Sequence, residues 1–149
     1  LERRIVTAEN PAARLLSGPL PDDRGARVLL LAIRRMGAYG LKDAVMAQHF
    51  LTLFGTRFRR PLMLTRIMLS ELAQAASTPI QIAPCCCPRM TSAERAVVDA
   101  ASRILDNPLA ARLLIADLLD TAHPNGVVAS VAAMAEAYRD TGVPIGGWG

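Results

Sequence analysis

Aromatic residues are scarce in this 149-residue chain. One Trp, two Tyr and three Phe make up 4% of it, while hydrophobic residues as a whole make up 52%. The interior must therefore be filled by Leu, Ala, Val, Ile and Met, which favours closely packed helices over a sheet rich in aromatic and β-branched residues. Lysine is almost missing: Lys42 is the one Lys among seventeen basic residues, so positive charge comes as planar, multi-donor guanidinium. Long apolar runs are absent too. The segment VLLLAI, 28–33, is bracketed by Arg27 and Arg34 and is far short of the roughly 20 residues a membrane helix needs. No secretory-leader pattern is visible, and three cysteines without regular spacing do not make a secreted disulfide framework. The expectation is a cytoplasmic protein with free thiols and no membrane insertion.

What is present suits one core-bearing domain. We expect an N-terminal arm over 1–21, a helical domain over 22–142 and a tail over 143–149. Charge is unevenly spread. Residues 1–66 hold twelve Arg or Lys against five Asp or Glu, and residues 67–149 hold five against eight, leaving a net +4. Such a gradient steers a polyanion or an acidic protein surface toward the first half, or lets two copies approach head to tail.

Apolar periodicity and cap residues predict six helices in an irregular all-α bundle with an extended proline- and cysteine-containing connection. A short helical turn at 11–17 is broken by Gly18, Pro19 and Pro21. The first long helix, RGARVLLLAIRRMGAY, follows Asp22 or Asp23 as its cap, with Asp23, Arg27 and Arg34 along a polar edge and Gly37 and Gly40 as stops. The second spans 41–55, with Ala44, Ala47, Phe50, Leu51 and Phe54 inward. The third starts at Pro61 and pairs with the second as a hairpin. Thr91 and Glu94 form a capping box ahead of the fourth, followed by a solvated ladder of Arg95, Asp99 and Arg103. Asn107-Pro108 opens the fifth, 108–120, and an Ala-rich sixth covers 127–142. Met63, Met68 and Met134 are assigned to packing.

Residues 77–90, STPIQIAPCCCPRM, break that periodicity, with IQI as a brief extended segment and Pro79, Pro84 and Pro88 forbidding a continuous helix. Cys85, Cys86 and Cys87 stand side by side here. In an extended tripeptide the first and third thiols point one way and the second another, so a tetrahedral zinc site needs ligands from elsewhere. Cys85 and Cys87 with His123 are one metal set; Met90 adds a soft sulfur suited to copper(I). Arg89 and the positive end of the fourth helix would stabilise a thiolate at Cys87. Cys87 with His123 as base is the one nucleophile pair, and it lacks a third, orienting group. No catalytic residues are assigned, and a non-enzymatic role is expected. The plainer reading makes the cysteines small core-filling residues.

Two other polar groups stand out. Arg57, Arg59 and Arg60, with Phe58 interleaved, suit a phosphate backbone, or Phe58 anchors the link to the core. Asp22, Asp23, Arg24 and Arg27 form either an interaction site or caps and surface ion pairs.

The segments PLPDDRGARVLLLAIRRMGAYGLKDA, TLFGTRFRRPL and APCCCPRMTSAE, with PLPDDRGAR and CCCPRMT the most specific, resemble a small family of uncharacterised helical proteins of sphingomonad-like alphaproteobacteria. The resemblance covers about residues 19–141. It implies a bacterial cytosolic helical protein and carries no activity, ligand or catalytic residue to any position. Three functional readings follow. The first is a regulatory or protein-interaction module, with a protein partner or a homodimer, using a helical surface and the Cys85, Cys86, Cys87, Arg89, Met90 loop. The second is a metal- or redox-responsive protein centred on the three thiols, with zinc or copper as the metals to consider. The third is a nucleic-acid-binding protein.

Overall fold

In a computed structural model of the chain, residues 5–7 and 18–146 are described. The helical turn expected at 11–17 and the last three residues lie outside them. Among these residues six α-helices form an irregular bundle: α1 (Arg24–Tyr39), α2 (Ala44–Phe54), α3 (Arg59–Ala75), α4 (Ser92–Arg103), α5 (Pro108–Leu119) and α6 (Asn125–Asp140). Two short strands, β1 (Ile5–Thr7) and β2 (Ile80–Ile82), pair in parallel with Ile5 opposite Ile80 and Thr7 opposite Ile82.

Side-chain caps define where the helices start. Asp23 accepts from the Ala26 amide at 2.9 Å, Asp43 from the Met46 amide at 3.0 Å and Asn107 from the Ala110 amide at 3.2 Å. Each satisfies a donor that has no partner within its own helix, an effect of about 1 kcal/mol. Because Asp43 is the cap, α2 begins three residues later than expected. Gly40, at φ 107°, ends α1 in a backbone conformation that a side chain disfavours. Gly37 is not a stop: it lies inside α1, and an added Cβ there would come 2.7 Å from Ile82 Cδ1 and 2.8 Å from Ile5 Cγ2. That close approach lets the two-stranded ladder lie across the helix. α3 starts at Arg59, ahead of Pro61; the ring is tolerated because the first amides of a helix have no internal acceptor.

The longest helix contacts are α3 along α6 and α4 along α5. α2 touches α3, as the expected hairpin requires, but α6 is the main partner of α3. Buried Leu29, Ile33, Met36, Met46, Met68, Leu69, Leu72, Val98, Leu119 and Met134 form the common interior. The few aromatics are concentrated: Phe50, Phe54 and Tyr138 meet with ring centroids 5.2–6.1 Å apart. Leu51 and Met63, expected inside, are exposed, because Phe50, Phe54 and Met68 take the inward arcs of α2 and α3. Residues 143–146 pack onto the bundle. Val143 and Ile145 are buried, and the Gly146 amide donates to Asp23 Oδ2 at 2.8 Å.

Candidate functional site: a dithiol turn held by a buried ion pair

The segment after β2 is shaped by a charge pair in the interior. Arg34, placed on the polar edge of its helix by sequence periodicity, is 3% exposed, and its partner Glu94 is 0% exposed. Arg34 Nε donates to Glu94 Oε2 at 2.8 Å and Nη2 to Oε1 at 3.1 Å, a two-point fork. The remaining guanidinium donors reach the cysteine segment: Nη1 meets the Cys87 carbonyl at 2.9 Å and Nη2 the Arg89 carbonyl at 2.7 Å. Glu94 also accepts from the Ala83 amide at 3.0 Å and the Thr91 amide at 2.8 Å. Thr91 completes the expected capping box by accepting from the Glu94 amide, and its hydroxyl donates to the Gln81 carbonyl. One carboxylate thus joins α1, the end of β2 and the start of α4. A buried charge pair is tolerated when its remaining donors and acceptors are filled in this way.

Between the pinned points the backbone turns tightly. The Cys87 amide donates to the Pro84 carbonyl at 3.0 Å, so Cys85 and Cys86 are the two central residues of a four-residue turn. Both are exposed, Cys87 is half-buried, and the Cys85 and Cys86 sulfurs lie 3.5 Å apart. The turn is bracketed on its far side as well, where the Met90 amide donates to the Gly18 carbonyl and Pro19 bridges Arg89. The hydrogen bond with Cys85, then the charge on Cys85 and partial desolvation, push the Cys86 thiol above its ordinary range. Arg35 on α1 lies within reach of the charge on Cys85. It is held by Asp43 and stacks 4.5 Å from the Tyr39 ring centroid; Tyr39 is 66% exposed. A pocket of about 140 Å³ opens beside Cys85, lined by Leu20, Arg27, Leu30, Leu31, Arg34 and the cysteine itself.

The other expected groups fall elsewhere. His123 is exposed and lines a separate groove with Glu71 and Gln74. Among the described residues no group of three or more His, Cys, Asp or Glu is placed to hold a metal ion, so Cys85, Cys87 and His123 are not gathered as a ligand set. Two sulfurs alone leave a tetrahedral zinc site half-filled. Met90 is buried in the core, where its thioether packs rather than facing the turn. The positive end of α4 is occupied by the Glu94 carboxylate, which serves there in place of a Cys87 thiolate.

Arg57, Arg59 and Arg60 are all exposed where α2 meets α3, but Arg60 pairs with Asp140 at 3.3 Å. Phe58 packs against the core with Arg59 5.8 Å from its ring centroid, so the ring acts as the anchor. Of the Asp22, Asp23, Arg24, Arg27 group, Asp23 is the cap and the tie to Gly146, while Arg27 reaches the pocket beside Cys85. Sequence reasoning missed Arg34 and Glu94 as the frame of the turn; the available signal was that Arg34 falls four residues after Leu30 and one after Ile33, within the apolar arc.

No helix among the described residues is long and apolar enough to cross a membrane. No curated protein and no solved structure matches the chain. Over residues 8–140 the sequence matches the family of unknown function DUF6628, and the chain belongs to that family.

Proposed function

We propose that this protein is a regulatory interaction module of a reducing cytoplasm whose Cys85–Cys86 turn registers thiol oxidation and alters the surface offered to a protein partner. The observation that carries this reading is the 3.5 Å between two exposed sulfurs at the tip of a braced turn. Solvent exposure and a neighbouring resolving thiol are two marks of sites at which oxidation is reversible and selective. With a low-molecular-weight disulfide as oxidant, the two protein thiols become one disulfide while the reagent is reduced to two thiols that carry away both protons. Arg35, within reach of Cys85, and the exposed Tyr39 ring it stacks on supply the guanidinium and aromatic groups that dominate protein contacts. The role is stoichiometric: the turn changes state and no substrate is turned over. A second copy of the chain is the simplest partner, and solution mass measured on reduced and oxidised protein tests it.

Phenylarsine oxide tests the dithiol directly, because trivalent arsenic bridges two neighbouring thiolates. The wild-type chain is expected to bind one equivalent that dithiol reagents displace, and Cys86→Ser to bind none. Three cysteines labelling independently, with no Cys85–Cys86 linkage after oxidation, would remove the basis for the reading.

A further inference from the structure

We propose that the pocket beside Cys85 is a modification site for acidic low-molecular-weight thiols arriving as disulfides, with Arg27 holding the carboxylate while Cys85 takes the sulfur. Only the second of the two chemical steps rests on the paired-thiol reading above.

Three features of the pocket select this chemistry. Its lining combines an apolar wall of Leu20, Leu30 and Leu31, two guanidinium groups and one sulfur, with no carboxylate among them. The two arginines are differently employed. Arg34 is buried, and its donors are committed to Glu94 and to the Cys87 and Arg89 carbonyls. Arg27 is exposed and forms no ion pair with another described residue, so it is the group open to a ligand. Size sets the third limit. A volume of about 140 Å³ admits a short arm rather than a large molecule. Arg27 and Arg34 are seven residues apart on one helix face, about 10 Å of axial rise. Arg27 and Cys85 line the same small pocket, so a carboxylate a few bonds from its sulfur matches the two groups.

The chemistry balances with the disulfide RSSR as the only co-reactant. The Cys85 thiolate attacks one sulfur, the S–S bond of the reagent breaks, and RS⁻ departs to take up a proton. Cys85 then carries S–SR. The Cys86 thiolate attacks the Cys85 sulfur, closing the Cys85–Cys86 bond and expelling the second RS⁻, which is protonated in turn. Two protein thiols have been oxidised and one external disulfide reduced to two thiols. Because Cys85 lines the pocket and Cys86 stands next to it outside the lining, Cys85 is the thiol that meets the reagent first and Cys86 the one that resolves.

Three reagents of similar size differ in charge: 3,3′-dithiodipropionate is acidic, 2-hydroxyethyl disulfide neutral and cystamine cationic, and each rate is divided by that reagent's rate with a small free thiol because their leaving thiols differ in pKa. The full chain carrying Cys86→Ser is treated with each, and the mixed disulfide is followed by intact mass and located by peptide mapping. Dithiodipropionate is expected to modify Cys85 about three- to fivefold faster than the neutral reagent, the scale of one exposed charge contact, and cystamine more slowly than either. Added salt should compress the spread. Arg27→Ala should level the three rates and Arg27→Glu should reverse their order, with circular dichroism confirming that both variants fold. Equal rates on the parent, an unchanged order in Arg27→Ala, or adducts falling on Cys87 overturn the proposal. With Cys86 intact, the adduct should give way to the Cys85–Cys86 disulfide. An adduct that persists there overturns the paired-thiol reading, while the charge order continues to decide the acidic site.

Discussion

Arg34 and Glu94 meet at 2.8 Å in the interior, although they are 60 residues apart in sequence. Removing either partner leaves a buried charge without compensation, so Arg34→Met and Glu94→Ala should each lower the unfolding free energy by about 3–5 kcal/mol in urea titrations. In many proteins a double apolar replacement recovers such a loss. Here it should not, because the pair also satisfies the Cys87 and Arg89 carbonyls and the Ala83 and Thr91 amides. A double variant as stable as the wild type would falsify this account of the turn.

Two glycines on α1 should respond differently to a methyl group. At Gly25 an added Cβ would lie 2.2 Å from the Pro144 carbonyl oxygen, which is backbone and cannot swing aside. Gly25→Ala should cost about 2–3 kcal/mol, or free residues 143–146 from the bundle. At Gly37 the obstacles are side-chain atoms, Ile82 Cδ1 and the branch methyl of Ile5, both buried, so the two-stranded ladder must shift to admit a methyl group. Alanine is a better helix former by about 1 kcal/mol, which offsets part of that cost, so Gly37→Ala should destabilise less than Gly25→Ala. Midpoints of thermal unfolding compare the two, and the reverse order would contradict the packing described.

Tyr138 makes the fold sensitive to alkali. Thr65 donates its hydroxyl proton to the Pro61 carbonyl, so Tyr138 is the donor in the 2.9 Å contact between the two hydroxyls. Burial raises the Tyr138 phenol well above its ordinary range. A folded-state pKa above the unfolded one means the contribution is complete below about pH 10 and is lost as pH rises beyond it. Urea midpoints should fall steeply above about pH 10 in the wild type and less in Tyr138→Phe.

Asp43 carries the opposite sign. The hydrogen bond from Arg35 holds its carboxyl below the ordinary range, with help from the Met46 amide and the Arg35 charge. Its contribution is therefore present above the unfolded value of about 3.9 and is lost as pH falls through the lowered one. Asp43→Asn keeps an N-cap oxygen while removing the charge, and should flatten the acid limb of a stability profile between about pH 5 and pH 2. An unchanged acid limb would show that the Arg35 contact contributes nothing.

The helices and most of their caps were legible in the sequence, because a 3.6-residue apolar period and a side-chain oxygen at the first turn are local signals. Asp23, Thr91 with Glu94, and Asn107-Pro108 were all readable in this way. The site was legible only as a place, the proline-bounded cysteine segment. Its frame was not, because Glu94 has two roles and sequence exposes just the local one, the capping box. Arg34 looked like a surface residue because a charged side chain on an amphipathic helix is assigned to the wet face, and its partner lies on another helix. The same limit applies to Met63 and Leu51: periodicity identifies an apolar arc, while the neighbouring helix decides how much of it is covered.

The parallel pairing of Ile5 with Ile80 also sets an order of events during translation. At about 5–20 residues per second, the second strand leaves the ribosome roughly 4–15 s after the first. Ile5 has no mate until that interval ends, by which time α1, α2 and α3 have been made and α4, which also packs on β2, has not. The ladder and the cysteine turn that follows it thus take their final shape only with the second half of the chain.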